Sequence, residues 1–584
     1  MKSIKYLSAI LAIVMLLSLF ACNTDNSKDT TAVTTVAPTA EESKQEQTET
    51  QAPAETSEPE TSETAPAETE GETEIEDTET TLVLGEEVEY AADFSVSKVF
   101  TDNMVIQRNE YVRVWGWADE SENGKKVSAE FLGVKADALI ENGEWEIRIC
   151  ERFDVNTTGS VLKIFTDKKE VSFKNVLVGD VFMVIGQSNI QYSVNEYMNN
   201  NPSPMWSYDE ITEDSLIRFI YNSNTDSEGY PTRGTAEVCK DLISGNTWEI
   251  PSKTNVSRIS ALGYFFANEI SKRTENKIPI GIIQMSASGR PLSVFMPNEL
   301  AEQYGTDHFD SAQGIYIGNY HSTVVTRYMY NHYMYAYEKM PLAGIVWNQG
   351  EAESNIALSS VYVERFTALM TYMREKHNSL NKNFPVFIVE FPTTYSKPEG
   401  YKGEWPQYLD TGRIRATMGM IPDSLSNSYI AVCSDLWDDA THYNNIHPYC
   451  KYEQAERVAD LAQAVMYGGK TLDEATGPIL VSCEISDDRK TAVLKFTNYG
   501  EGLTTSDGGT EVKGFASIIK KNDVNSKCNI KAEITAPDTI TITFSKATIG
   551  VAYNCVTGNF YGVDINLCDS YGNPAKAFWY FVVD

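Results

Sequence analysis

A serine at the mouth of an apolar run is the first chemically capable feature of this chain. Val181-Phe182-Met183-Val184-Ile185 is followed at once by Gly186-Gln187-Ser188-Asn189. A continuous apolar run bounded by turn residues is the mark of a strand buried on both faces of a parallel sheet. Open α/β sheets hold ligands outside the carboxyl ends of their strands, which is where Ser188 falls. Where such a turn enters a helix, the first backbone N–H groups point outward and stabilise negative charge. A hydroxyl so placed suits attack on an acyl group. The same four residues serve equally as a Ser/Asn turn capping a helix. The chemical reading needs a base, because a hydroxyl is a poor nucleophile until its proton is removed. Imidazole titrates near neutral pH, and the chain offers six candidates: His308, His321, His332, His377, His442 and His447.

For that serine to be useful, the chain must build a sheet around it. Between residues 176 and 472, strand-like runs alternate with helical stretches. The runs include Ile278-Pro279-Ile280-Gly281-Ile282-Ile283, Ala343-Gly344-Ile345-Val346-Trp347, Pro385-Val386-Phe387-Ile388-Val389 and Ser428-Tyr429-Ile430-Ala431-Val432. Ala261 to Arg273 sets Leu262, Phe265, Phe266, Ala267 and Ile270 at helical period, and Tyr362 to Lys376 reads as a second helix. Strand–helix alternation predicts an α/β domain whose parallel sheet is covered on both faces. The flanks differ. Residues 91–175 carry short alternating runs such as Tyr111-Val112-Arg113-Val114-Trp115-Gly116-Trp117, and residues 473–584 carry Thr491-Ala492-Val493-Leu494-Lys495-Phe496 and Thr539-Ile540-Thr541-Ile542-Thr543-Phe544. That pattern predicts a small β-sandwich on each side.

The amino-terminal part is not core material. Lys2 and Lys5 precede an apolar stretch, Leu7 to Phe20, which ends in Ala21-Cys22. Residues 1–22 read as a secretory signal, too short to stay in a bilayer as a spanning helix. The cysteine after a small residue resembles the lipobox of bacterial lipoproteins, with Cys22 as the lipidated position. Residues 23–90 read as a tether. Its first part, residues 23–80, holds 17 acidic and 2 basic residues within a chain of net charge −34. Such a segment buries too little apolar surface to fold. The expected location is the outer face of the bacterial membrane, with a lipid as the only membrane attachment. The acidic balance argues against nucleic acid as a partner, since phosphate contacts need a basic face. The eight cysteines after Cys22 include no Cys-x-x-Cys pair, which argues against structural zinc. Cys483, Cys528, Cys555 and Cys568 fall in one region and are either paired or buried thiols.

Four blocks in order resemble the sialate O-acetylesterase-like carbohydrate esterases, a branch of the SGNH hydrolases. The first is Asn175 to Phe182 leading into Gly186-Gln187-Ser188-Asn189. The second is Ile280-Gly281-Ile282-Ile283 with Ser288-Gly289-Arg290-Pro291-Leu292. The third is Trp347-Asn348-Gln349-Gly350-Glu351, and the fourth is Ile446-His447-Pro448-Tyr449-Cys450-Lys451 with Arg457. The likeness extends outward to Asp102 to Arg108 and Trp115-Gly116-Trp117, and to Gly514-Phe515 and Gly572-Asn573-Pro574-Ala575. It implies a three-layer α/β/α, flavodoxin-like catalytic domain with small β domains on either side.

The resemblance also implies roles. Ser188 is the nucleophile and His447 the base. The backbone N–H groups of Ser188 and Gly289 and the side-chain amide of Gln349 receive the oxyanion of the tetrahedral intermediate. Glu351 supports the site, and no metal or organic cofactor is required. One position departs from the pattern. The acid that orients the histidine usually lies two or three residues before it, where this chain has Asn445 and Asn444. An amide does not stabilise imidazolium as a carboxylate does. Three arrangements stay open: Asp435, Asp438 or Asp439 supplies the acid, with Asp435 favoured; a backbone carbonyl orients His447 in a dyad; or the site is weak or inactive. The expected activity is removal of acetyl groups from extracellular oligo- or polysaccharides of sialate or xylan type. The alternative is a glycan-binding surface lipoprotein on a decayed esterase scaffold. Tyr192, Trp206, Trp347 and Tyr443 are candidate sugar-stacking rings, although packing in the core explains aromatics as well. The sequence is silent on oligomeric state.

Overall fold

The computed structural model describes residues 80–212, 214–223, 237–243, 245–304, 327–354, 356–377, 379–392, 411–436, 447–519, 529–555 and 565–581. The signal and most of the tether expected before residue 80 lie outside the described residues, as do Cys22 and Cys528.

The central sheet is the one the apolar runs predict. Its strands are β1 (Glu170–Gly186), β2 (Ile217–Ser223), β3 (Ile280–Ser286), β4 (Gly344–Asn348), β5 (Val386–Val389) and β6 (Ser428–Ala431). They lie in the order β2-β3-β1-β4-β5-β6, and every one of these pairings is parallel. The chain leaves β1 for the far edge, returns beside it as β3, and then crosses to its other side as β4. The carboxyl end of β1 therefore sits at a switch in winding direction, the place where such sheets open a crevice.

Alternation along β1 explains why the run is apolar throughout. Phe182 and Val184 face one core with Phe265, Phe266 and Ile270 of helix α3 (Ala261–Arg273). Tyr452, Ala455, Val458 and Ala459 of α5 (Lys451–Ala462) pack in that same core. Val181, Met183 and Ile185 face a second core with Tyr362, Phe366, Leu369, Met370 and Met373 of α4 (Ile356–Lys376). Helices thus cover both faces, which gives three layers, α/β/α. The numbering leaves α1 (Ser188–Gln191) and α2 (Val194–Asn200), two short helices directly after β1.

The expected boundary between residues 175 and 176 is not a break in the chain's structure. It falls inside β1, a single strand of 17 residues. The first half of β1 pairs antiparallel with Asn156–Phe165, and from Asp180 onward it pairs with β3. One strand therefore belongs to both the amino-terminal β region and the central sheet. After residue 475, strands form a four-stranded antiparallel sheet and a three-stranded one around Leu494, Phe496, Ile540, Ile542, Val551 and Tyr553. Cys239, Cys433, Cys483 and Cys568 are free thiols among the described residues. Among those residues, no helix is long and apolar enough to cross a membrane.

Candidate active site

Ser188 opens α1, one residue beyond the turn that ends β1. The glycine before that turn is a packing requirement: a Cβ on Gly186 would lie 2.0 Å from the Asn348 carbonyl oxygen of β4. Gly186 is in register with both Ser286 and Asn348, and its carbonyl accepts from Ala287 N–H at 3.0 Å. That pairing brings the Ser288-Gly289 turn beside the serine. Because α1 is a single turn of four residues, little helix dipole acts on Ser188. Individual backbone N–H groups take over that part of the sequence argument.

Ser188 and His447 line one cleft of about 690 Å³, together with Tyr192, Glu196, Arg258 and Ser288. The structure therefore brings together two residues that lie far apart in the chain. Burial pushes the His447 imidazole down to about 4; the nearby Lys451 ammonium acts in the same direction and Glu196 opposes them. At neutral pH the ring is uncharged and has a lone pair to accept a proton.

A buried polar chain stands behind Ser188. The Lys451 ammonium donates to Asn189 Oδ1 at 2.6 Å and to Gln454 Oε1 at 3.3 Å. The Asn189 amide in turn donates through Nδ2 to Glu351 Oε1. Lys451, Asn189 and Glu351 are all buried. The amide can satisfy an ammonium and a carboxylate at once only in this orientation, carbonyl to cation and NH2 to anion. Three of the four sequence blocks meet in this chain, and the residue after the serine is held from both sides. Burial raises the Glu351 carboxyl to about 7.

Gln349 stands deeper than the resemblance implied. It is fully buried, and its amide nitrogen donates to Glu353 Oε2 at 2.6 Å and to the Arg290 carbonyl at 3.2 Å. Both of its N–H groups are committed, so an oxyanion finds no free donor on Gln349 in this conformation. Its grip on the Arg290 carbonyl instead braces the turn that carries Gly289. Glu353 is itself fixed by Leu292 N–H at 2.5 Å, and burial raises its carboxyl to about 7. Gly289 has φ +65° and open space where a Cβ would stand, so its backbone conformation, not crowding, is what favours glycine.

Asp435 is also placed differently from the favoured expectation. Arg457 grips it with two nitrogens, Nη1 to Oδ1 at 2.5 Å and Nη2 to Oδ2 at 2.6 Å. A two-pronged guanidinium–carboxylate pair engages both oxygens, so the carboxylate's strongest partner is Arg457. Asp438, Asp439, Tyr443, Asn444 and Asn445 lie outside the described residues. Of the aromatic candidates, Tyr192 reaches the cleft. Trp206 packs against Tyr208, Tyr264 and Phe265, and Trp347 lies between Phe295 and Phe366, so both are core residues. Glu196 and Arg258 were missed in the sequence. The Ser193-Val194-Asn195-Glu196 capping box reads as a helix start and gives no sign that its glutamate faces a cleft. Among the described residues, no group of three or more His, Cys, Asp or Glu side chains is arranged to hold a metal ion.

A parallel α/β/α sheet with a serine at the carboxyl end of its central strand, and a histidine lining the same cleft, sets a nucleophile and a base where acyl transfer is possible. The comparisons with known proteins agree. Residues 178–444 match the model of a family described as carbohydrate esterase, sialic acid-specific acetylesterase. The chain is 26% identical to the sialate O-acetylesterase of Homo sapiens over 346 residues, which cover 56% of this chain and 60% of that protein. It is 24% identical to the Rattus norvegicus sialate O-acetylesterase over 382 residues, 58% of this chain and 64% of the relative. The match thus spans about 60% of the human relative's length. Among solved structures, a carbohydrate acetylesterase from Xanthomonas citri superposes with a TM-score of 0.67 at 22% identity, over 84% of this chain and 100% of that one. That likeness establishes the shared fold.

Proposed function

We propose that this chain is a carbohydrate O-acetylesterase that acts through a serine acyl-enzyme. The observation that carries the reading is the meeting of Ser188 with an uncharged His447 in one polar cleft at the switch point of the sheet. Ser188 Oγ attacks the acetyl carbonyl carbon while His447 takes the hydroxyl proton. The oxyanion that forms is received by the backbone N–H groups of Ser188 and Gly289. Collapse expels the sugar oxygen, which leaves with the proton from His447. Water, deprotonated by the same ring, then releases acetate and restores Ser188. The substrate is an acetylated oligo- or polysaccharide, of sialate or xylan type. Export through residues 1–22 and lipidation at Cys22 would hold the enzyme outside the cell on its acidic tether.

Acetate release from p-nitrophenyl acetate, acetylated xylan and O-acetyl sialosides tests this reading. Activity requires His447 unprotonated, so the rate is expected to rise with pH around an acidic limb near 4, where burial places the ring. An ordinary exposed histidine would put that limb near its usual 6.5. Absence of acetate release from all three substrates by the folded protein would support the glycan-binding alternative instead.

A further inference from the structure

The esterase reading leaves open which acetylated sugar enters the cleft. Most of the described lining is hydroxyl and amide, including Gln191, Ser193, Asn195 and Ser257, which suits a polyhydroxyl ligand. Two charged side chains stand out against it, Glu196 and Arg258. With His447 uncharged, Arg258 is the one cation among the described residues that line the cleft. We propose that Arg258 is a specificity-determining residue, which binds the carboxylate of an acidic sugar while Ser188 attacks an acetyl ester on the same molecule.

The surroundings hold this guanidinium in place. Arg258 ends the short turn Val256–Arg258. Directly after it, the Ile259 carbonyl accepts from Val194 N–H at 3.0 Å, Ser260 N–H donates to Gln284 Oε1 at 2.8 Å, and Ala261 N–H donates to the Tyr192 carbonyl at 2.8 Å. The segment that bears Arg258 is thereby tied to β3 and to the stretch of chain that follows Ser188. The side chain is anchored at one point, where Nη2 donates to Glu249 Oε1. Glu249 is itself fixed, because Asn255 Nδ2 donates to its other oxygen at 3.0 Å. Among the described residues Nε and Nη1 have no partner, and the side chain is 56% exposed.

A guanidinium pinned by one nitrogen and open at the others offers a carboxylate charge-assisted hydrogen bonds at little ordering cost. A neutral sugar leaves the Arg258–Glu249 pair as it is and gains none of this. Glu196 adds direction. Its carboxylate is held by Ser193 N–H and Ser193 Oγ at 2.7 and 2.9 Å and repels an anion from its part of the cleft. The two opposite charges therefore favour one orientation of an acidic sugar. The inference rests on the serine esterase reading and narrows its substrate. A sialic acid and a uronic acid branch on xylan both carry the required carboxylate, whereas unbranched acetylated xylan does not.

Paired substrates that differ only in that group test the inference. One pair is an O-acetyl sialoside and its carboxamide; the other is acetylated xylo-oligosaccharides with and without a glucuronic acid branch. Acetate release by the parent enzyme is expected to favour the acid in at least one pair by about threefold to tenfold in kcat/KM, carried by KM. The pair that shows the preference identifies the source of the carboxylate, and added salt should weaken it. Arg258→Gln should bring that ratio close to one, and Arg258→Lys should retain part of it. A ratio near one for the parent in both pairs, or a preference undiminished in Arg258→Gln, would overturn the inference while leaving the esterase reading intact. Absence of acetate release from every member of both pairs by the folded parent protein would overturn the two together.

Discussion

Ser188→Ala is expected to abolish acetyl hydrolysis, by about a thousandfold or more, without changing the fold. The side chain is half-buried at the start of a single helical turn, and its neighbours already provide the local order. Asn189 is fixed by Lys451 and Glu351, and Gly186 by its pairing with both adjacent strands. Loss of one hydroxyl therefore removes the nucleophile and little else. Urea unfolding midpoints of parent and variant should coincide while acetate release disappears. His447→Ala should give a similar loss, because nucleophile and base act as a unit and their effects do not add. A residual rate above the uncatalysed reaction is expected in both, since the backbone donors remain.

Lys451→Met is expected to destabilise the protein by about 3–5 kcal/mol. Lys451 is fully buried, and its ammonium is matched by the Glu351 carboxylate through the Asn189 amide. Removing the cation takes the Lys451 donor from Asn189 Oδ1 and leaves the buried Glu351 carboxyl, already raised to about 7, without the ammonium that favours its ionised form. Replacing both ends is a different matter, because an uncharged pair leaves no orphaned charge. Lys451→Met combined with Glu351→Gln should recover much of the loss. Denaturant midpoints for the two single variants and the double variant give the coupling directly. Additive losses would mean that the relay through Asn189 carries no energy.

The sheet was legible because its strands are buried on both faces and so read as unbroken apolar runs. Val181 to Ile185 is such a run, and the structure divides its side chains between two cores as that pattern requires. The Ser188, Gly289, Glu351 and His447 blocks were legible as short motifs at the ends of those strands. The boundary at 175 falls inside β1, because one strand pairs first with Asn156–Phe165 and then with β3. The engagement of Asp435 was not legible, because its ion pair with Arg457 comes from a helix 22 positions later and no local pattern announces it. Glu196 was hidden for the opposite reason. Its capping box gives a complete local account of the residue, so nothing in the sequence placed it at the cleft. Gln349 kept its place near the turn but not its free amide, because Glu353, two residues after Glu351, claims it. Trp206 and Trp347 show the limit of reading sugar contacts from aromatic residues, since both are needed in the cores.

The most direct test of the account is to trap the acyl-enzyme. The parent protein would be mixed with excess p-nitrophenyl acetate, quenched in acid within the first turnovers, digested and mapped by mass. The account predicts one added acetyl group on Ser188, absent in Ser188→Ala. An acetyl group found on another residue while Ser188 stays unmodified, or rapid turnover with no acetylated peptide and an undiminished rate in Ser188→Ala, would contradict it.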